Sequence, residues 1–292
     1  MTTSCENWVF LGDSLTEGIG AGRDNYVSEL AKLLRADATV NHAVHDIRLR
    51  DVNPLTFNPY IRTNLAGFLD ADRHDGGDAL WLWNLASEGR FIDGDRQWLP
   101  LLSNLAPGRV FIYRGSLESV IRPAAVFDQA WPAWVPRSWR GLVTLDPRCF
   151  FSRGGARRIK QVLIDDLKQR TRKRLLASRP GRPLYDAATI DAHYVALLEA
   201  LRPLGAGIYI LGLIGPDEDC FPGSAAQFAT VNARLRAIAR SFGAEFIDWA
   251  ADGEFQREVQ PWRCRDGFHP TREGAQILAR VLRRRLNADV PH

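Results

Sequence analysis

Short apolar runs bounded by Gly, Asp or Pro alternate along this chain with stretches of helical periodicity. That rhythm is what a parallel β-sheet covered by helices on both faces requires, so the class is α/β. Strands are predicted at Trp8 to Leu11, Ala38 to Ala43, Ala79 to Trp83, Val110 to Tyr113, Ile208 to Ile214 and Glu245 to Asp248. Between them, Asn25 to Leu34 places Tyr26, Leu30, Leu33 and Leu34 on one helical face, and Ile190 to Leu201 and Phe228 to Phe242 do likewise. A last helix is expected from about Arg272 to Leu286, where Ile277, Leu278, Val281 and Leu282 have the spacing of a buried stripe. With 292 residues, 46% of them apolar, the chain can bury a sizeable core, and residues 1–292 are expected to form a single domain.

Residues 45–77 and 124–189 break the rhythm and read as insertions into the sheet. The second begins with AVFDQAWPAWVPRSW, where Trp and Pro interleave to suit an apolar lid, a pocket wall or a core contact. It continues through residues 153–182, which hold eleven Lys or Arg against two Asp. There Ile159, Val162, Leu163 and Leu167 mark a helix with one apolar face and a basic face opposite.

A net charge of +4, from 38 Lys plus Arg against 34 Asp plus Glu, is too mild to imply a polyanionic partner. The basic helix is read as a solvated face, and no nucleic-acid partner is expected. No apolar run approaches the ~18–20 residues of a membrane span, and no leader precedes the first strand, so a cytoplasmic location is expected. Cys5, Cys149, Cys220 and Cys264 form no CxxC pair, which suits reduced thiols. His42, His45, His74 and His193 lack ligand spacing, so neither a metal nor an organic cofactor is expected.

The chemistry concentrates at the two ends. WVFLGDSLTEGIGAG runs an apolar strand into Gly12, Asp13 and Ser14, which puts a serine hydroxyl at the carboxyl edge of the sheet. A serine needs a base to take its proton and an acid to orient that base. RCRDGFHPTREGAQILARVL supplies both: Asp266 lies three residues before His269, so one turn brings the carboxylate to Nδ1 and leaves Nε2 for Ser14. Asp13 is expected to order the turn through backbone N–H groups.

VFLGDSLTEG and DGFHPTREGAQILA together resemble the first and last sequence blocks of the SGNH hydrolases, also called GDSL esterases and lipases. The resemblance implies a flavodoxin-like α/β/α sandwich and a triad of Ser14, Asp266 and His269. ALWLWNLASEGRFID looks like the second block, with Asn84 after a strand and Gly89 as an oxyanion donor beside the Ser14 N–H; ATVNHAVHD competes, but has His45 where the glycine falls. The third block, normally GxND, departs in VFIYRGSLESVIRP. Gly115 is in place, but Leu117 replaces the Asn that supplies another oxyanion donor, and Glu118 replaces the Asp. The loss of one such donor costs about 10²–10³ in turnover unless another group replaces it, and Arg114, Ser116 and Arg122 are the nearby polar candidates. Glu118 is a base or, more simply, a structural acceptor. The expectation is a variant-subgroup serine esterase acting on an O-acyl sugar or small metabolite. An acyltransferase with the same triad and a non-catalytic binding protein with a degenerate site are the alternatives. Nothing in the sequence sets the oligomeric state.

Overall fold

The first strand occupies Cys5–Gly12 (β1) in the computed structural model, which describes residues 5–21, 24–36, 43–48, 79–86, 91–149, 154–253, 255 and 262–288. It lies inside a six-stranded sheet with Ala43–Arg48 (β2), Ala79–Asn84 (β3), Arg109–Tyr113 (β4), Gly207–Leu211 (β5) and Glu245–Ile247 (β6). The order is β2-β3-β1-β4-β5-β6, and all pairs are parallel. Val9, Phe10 and Leu11 point alternately to the two faces, yet all are fully buried, so helices must cover both sides. Phe10 stacks on Phe111 at 4.5 Å and Phe111 on Tyr209 at 4.8 Å, tying β1, β4 and β5 together on one face.

From β3 to β6 the order is that of a doubly wound flavodoxin-like sheet, with β2 as an added edge strand. The chain leaves β1 for one side of the sheet and returns to β4 on the other. The carboxyl ends of β1 and β4 therefore flank the switch point where such sheets open a cleft.

The helices are Ser14–Glu17 (α1), Tyr26–Ala36 (α2), Leu99–Leu105 (α3), Ser116–Ser119 (α4), Ala124–Asp128 (α5), Gly155–Ser178 (α6), Ala187–Leu201 (α7), Ser224–Phe242 (α8) and Arg272–Ala288 (α9). α2 packs on α9, and α7 on α8. Ile277, Leu278, Val281 and Leu282 of α9 are buried as their spacing predicts. Among the described residues no helix is long and apolar enough to cross a membrane.

Three expectations need correction. The strand expected from Ala38 to Ala43 begins only at Ala43 and runs to Arg48, so β2 enters the stretch read as the first insertion; residues 37–42 and 49–78 lie outside the described residues. β5 stops at Leu211 rather than Ile214, because other groups capture the backbone beyond it. Asn232 takes the Leu213 N–H and C=O at 2.7 and 2.8 Å, and the Tyr113 hydroxyl takes the Ile214 N–H at 3.2 Å.

The largest correction concerns α6, which is turned the other way about its axis. Ile159, Leu163 and Leu167 are 65%, 64% and 54% exposed, while Asp165 and Arg172 are buried. Long-range ion pairs hold this orientation: Arg172 binds Asp146 at 2.6 Å, and Arg265 reaches Asp165 at 3.3 Å and Asp166 at 2.8 Å. Before α6, Trp131 and Trp139 pack on a satellite cluster of Val135, Leu145 and Leu175. Trp134 stays half exposed, with the Arg174 guanidinium 4.8 Å from its ring centre.

Candidate active site

The turn after β1 is shaped by a glycine and an aspartate. A Cβ at Gly12 would run into the Thr16 side chain, so the strand enters α1 through a turn too tight for any larger residue. Asp13, buried, caps α1 by accepting the Leu15 N–H at 3.0 Å. Gly18, at φ 92°, closes the helix by donating to the Ser14 C=O at 3.1 Å. Ser14 is thus the first residue of a single helical turn at the carboxyl end of the central strand. Its N–H, like the others in a first turn, has no intrahelical acceptor.

The loop before α9 brings the histidine to the same place. Cys264 N–H donates to the His269 C=O at 2.7 Å, and Thr271 N–H to the Trp262 C=O at 2.6 Å, which folds residues 262–271 into a tight excursion. Inside it, Asp266 Oδ1 accepts the N–H groups of Phe268 and His269 at 3.0 and 3.1 Å. Its Oδ2 lies 2.6 Å from His269 Nδ1, and His269 Nε2 lies 2.7 Å from Ser14 Oγ. Asp266 is almost completely buried, and His269 keeps a narrow exposed edge. The three residues singled out from the sequence form one hydrogen-bonded line.

The segment after β4 differs from what was expected of it. The fully buried Arg114 makes a bidentate ion pair with the equally buried Asp95, at 2.7 Å from Nε and 2.5 Å from Nη2, and so does not serve the cleft. Removing one partner of such a pair costs about 3–5 kcal/mol, because the other charge is left buried and unpaired. The Ser116 hydroxyl donates to the Asp13 carboxylate and joins the two strand ends. Burial raises the Asp13 carboxyl above its ordinary range in spite of that bond and the Arg114 charge. Gly115 takes φ 100°, which explains a glycine there, and it does not line the cleft.

Asn84 also faces elsewhere. Its Nδ2 donates to the Thr16 C=O at 2.8 Å and its Oδ1 accepts the Ala86 N–H at 3.1 Å, so it braces α1 from behind. Glu118 accepts the Ile92 N–H at 2.8 Å, and burial pushes its carboxyl up to about 7. It is an internal acceptor with no contact to the cleft. Gly89 lies outside the described residues. Leu117 does line the cleft, with an apolar side chain and no donor.

Of the polar candidates, Arg122 is the one at the cleft wall. Its Nη1 donates to the Leu142 C=O at 2.7 Å and to Asp146 at 2.9 Å. Burial opposes the charge of Asp146, but Arg122 and Arg172 overcome it and hold this carboxyl below its ordinary range. The cleft encloses about 950 Å³, room for a small-molecule ligand. Much of its outer wall comes from the second insertion: Val143, Thr144, Asp146, Arg148 and Cys149, which were not named as site residues, and Lys168 of the basic helix. The first five sit on an irregular loop, where periodicity carries no signal.

Among the described residues, Cys149, Asp266 and His269 are the group that offers atoms for a metal, all within 4.8 Å of one another. Asp266 and Ser14 already engage both imidazole nitrogens, so an ion would have to break one of those hydrogen bonds to bind. The arrangement suits proton transfer better than metal ligation.

No family model and no curated protein matches the chain. Solved structures do resemble it. The acetylxylan esterase Axe2 from Geobacillus stearothermophilus matches with a TM-score of 0.50 at 15% identity, over 97% of this chain and 95% of that one. LAE5, an α/β hydrolase enzyme from the metagenome of Lake Arreo, Spain, matches with 0.51 at 15% over 100% of both chains. TesA matches with 0.50 at 14% over 97% of this chain and 99% of that one. The chain thus shares the SGNH-type α/β fold of these solved structures.

Proposed function

We propose that this protein is a serine esterase that cleaves an O-acyl group from a sugar or small metabolite through an acyl-serine intermediate. The observation that carries the reading is the continuous line from Ser14 Oγ through His269 to Asp266, with contacts of 2.7 and 2.6 Å. Ser14 Oγ attacks the ester carbonyl carbon while its proton passes to His269 Nε2. The bond to the alcohol then breaks, and that proton leaves with the alkoxide. Water enters, gives a proton to Nε2 and attacks the acyl carbon, and the proton returns to Ser14 as the acid departs. Asp266 fixes the tautomer and stabilises the imidazolium. The Ser14 N–H and, on the sequence pattern, the Gly89 N–H serve the oxyanion. Leu117 leaves the third donor position without a polar group, so turnover is expected to be modest. The neighbours named as esterases agree with this reading.

Labelling with a fluorophosphonate probe, together with hydrolysis of p-nitrophenyl acetate, tests it. The wild type should react with both, and Ser14→Ala with neither. Equal labelling of the two proteins, or hydrolysis that survives the substitution, overturns the assignment.

A further inference from the structure

Lys168 of α6 reaches the wall of the cleft. Arg157, Gln161, Ile164 and Lys168, at the i, i+4, i+7, i+11 positions of one helical face, line a cavity of about 250 Å³. Arg148 and Lys168 belong to the walls of both this cavity and the cleft that holds Ser14, so the two spaces adjoin. Four cations (Arg148, Arg157, Lys160 and Lys168) surround the smaller cavity against one carboxylate, Asp165. Asp165 is itself shared with Arg265.

Soluble helices ordinarily bury leucines and let lysines and arginines reach into bulk water. Here Ile159, Leu163 and Leu167 occupy the solvent side, and the half-buried Lys168 lines the cavity together with the exposed Arg148, Arg157 and Lys160. Burial, with the Arg148 charge adding to it, pulls the Lys168 ammonium below its ordinary range against the opposing attraction of Asp165 and, on the cleft wall, Asp146. At the wall of the main cleft, the buried Arg122 has Nε and Nη2 without an acceptor among the described residues, a state that native interiors rarely tolerate.

We infer that the cleft has an anion subsite, formed by Arg148 and Lys168 with Arg157 and Lys160 behind them, that takes a phosphate group carried by the ester substrate. The excess of cations suits a phosphate monoester, which carries up to two negative charges, better than a single carboxylate. The inference deepens the proposed esterase reading and rests on it for the position of the scissile bond.

A matched pair of esters tests the turnover side: 4-acetoxyphenyl phosphate against 4-methoxyphenyl acetate. The phosphate ester should be preferred in kcat/KM by about tenfold or more at low salt, the magnitude of one to two charge-assisted hydrogen bonds. Added salt should shrink the preference. Arg148→Gln/Lys168→Gln should reduce it to less than about threefold. Arg157 and Lys160 are exposed, so Arg157→Gln/Lys160→Gln keeps the test valid if the first pair disturbs folding.

Calorimetry on Ser14→Ala protein with 4-hydroxyphenyl phosphate and hydroquinone separates the two claims. Preferential binding of the phosphate without turnover of either ester by the wild type would sink the serine assignment and keep the subsite. Turnover with no preference for phosphate in either kinetics or binding overturns the subsite and leaves the esterase standing.

Discussion

Replacing Asp266 by Asn changes one oxygen for an NH₂ group, and the surrounding backbone decides which way the amide points. Oδ1 of Asp266 accepts two N–H groups, from Phe268 and His269, at 3.0 and 3.1 Å. Turning the NH₂ toward them would leave two buried donors facing a donor, at about 1–3 kcal/mol each. The Asn must therefore keep its oxygen there and present NH₂ to His269 Nδ1. Nδ1 then has to accept, and the proton moves to Nε2, the atom that faces Ser14 Oγ at 2.7 Å. An imidazole protonated at Nε2 and already donating at that site cannot take the serine proton. The expected result is a fall in kcat of about 10⁴, or about 5.5 kcal/mol, the size known for the corresponding tautomer error in a serine-protease triad. KM should hold and the melting temperature should move by no more than a few degrees, because both backbone bonds survive. Steady-state hydrolysis of p-nitrophenyl acetate, paired with thermal melting by circular dichroism, reads both quantities. A loss below tenfold in a folded variant would refute the tautomer argument.

Two further outcomes follow from the buried acid and the inverted helix. Burial raises the Glu118 carboxyl from its ordinary 4.5 to about 7, so its proton stays on in the folded protein over a range where the unfolded chain has released it. Its stabilising contribution is thus full below about pH 4.5 and is lost as pH rises through about 7. Glu118→Gln retains an oxygen for the Ile92 N–H and should remove that loss, on the order of 3 kcal/mol. The stability gap between variant and wild type should widen in the variant's favour between about pH 5 and 8 in urea titrations, and a gap independent of pH contradicts the argument. For the helix, Leu163→Gln should change stability by less than about 0.5 kcal/mol, because the side chain already faces water. A cost above about 2 kcal/mol, read from the same titrations, would mean that Leu163 is packed after all.

Much of the fold was legible because its signals are local. Val9, Phe10 and Leu11 announce a strand buried on both faces, and the stripe from Ile277 to Leu282 announces the face that α9 buries. The cluster of Ser14, Asp266 and His269 was legible because tight turns give it short sequence patterns. Partners distant in the chain settled what the sequence left open. Nothing near Arg114 tells that Asp95 will claim it. Similarly, α6 offers two faces to the core, and the choice between them is made by Asp146 and Arg265, far away along the chain. Asn84 shows the same limit: an Asn after a strand suits a cleft as well as it suits the carbonyl of Thr16, which it takes here.

The hydroxyl and the imidazole that meet beside β1 are separated by 255 positions in the chain. In the unfolded chain the Ser14 hydroxyl is an ordinary alcohol, and it gains its base only when the loop before α9 docks beside β1. On the proposed mechanism, any chain in which this long-range docking has not taken place is chemically silent, so activity would report folding as well as amount.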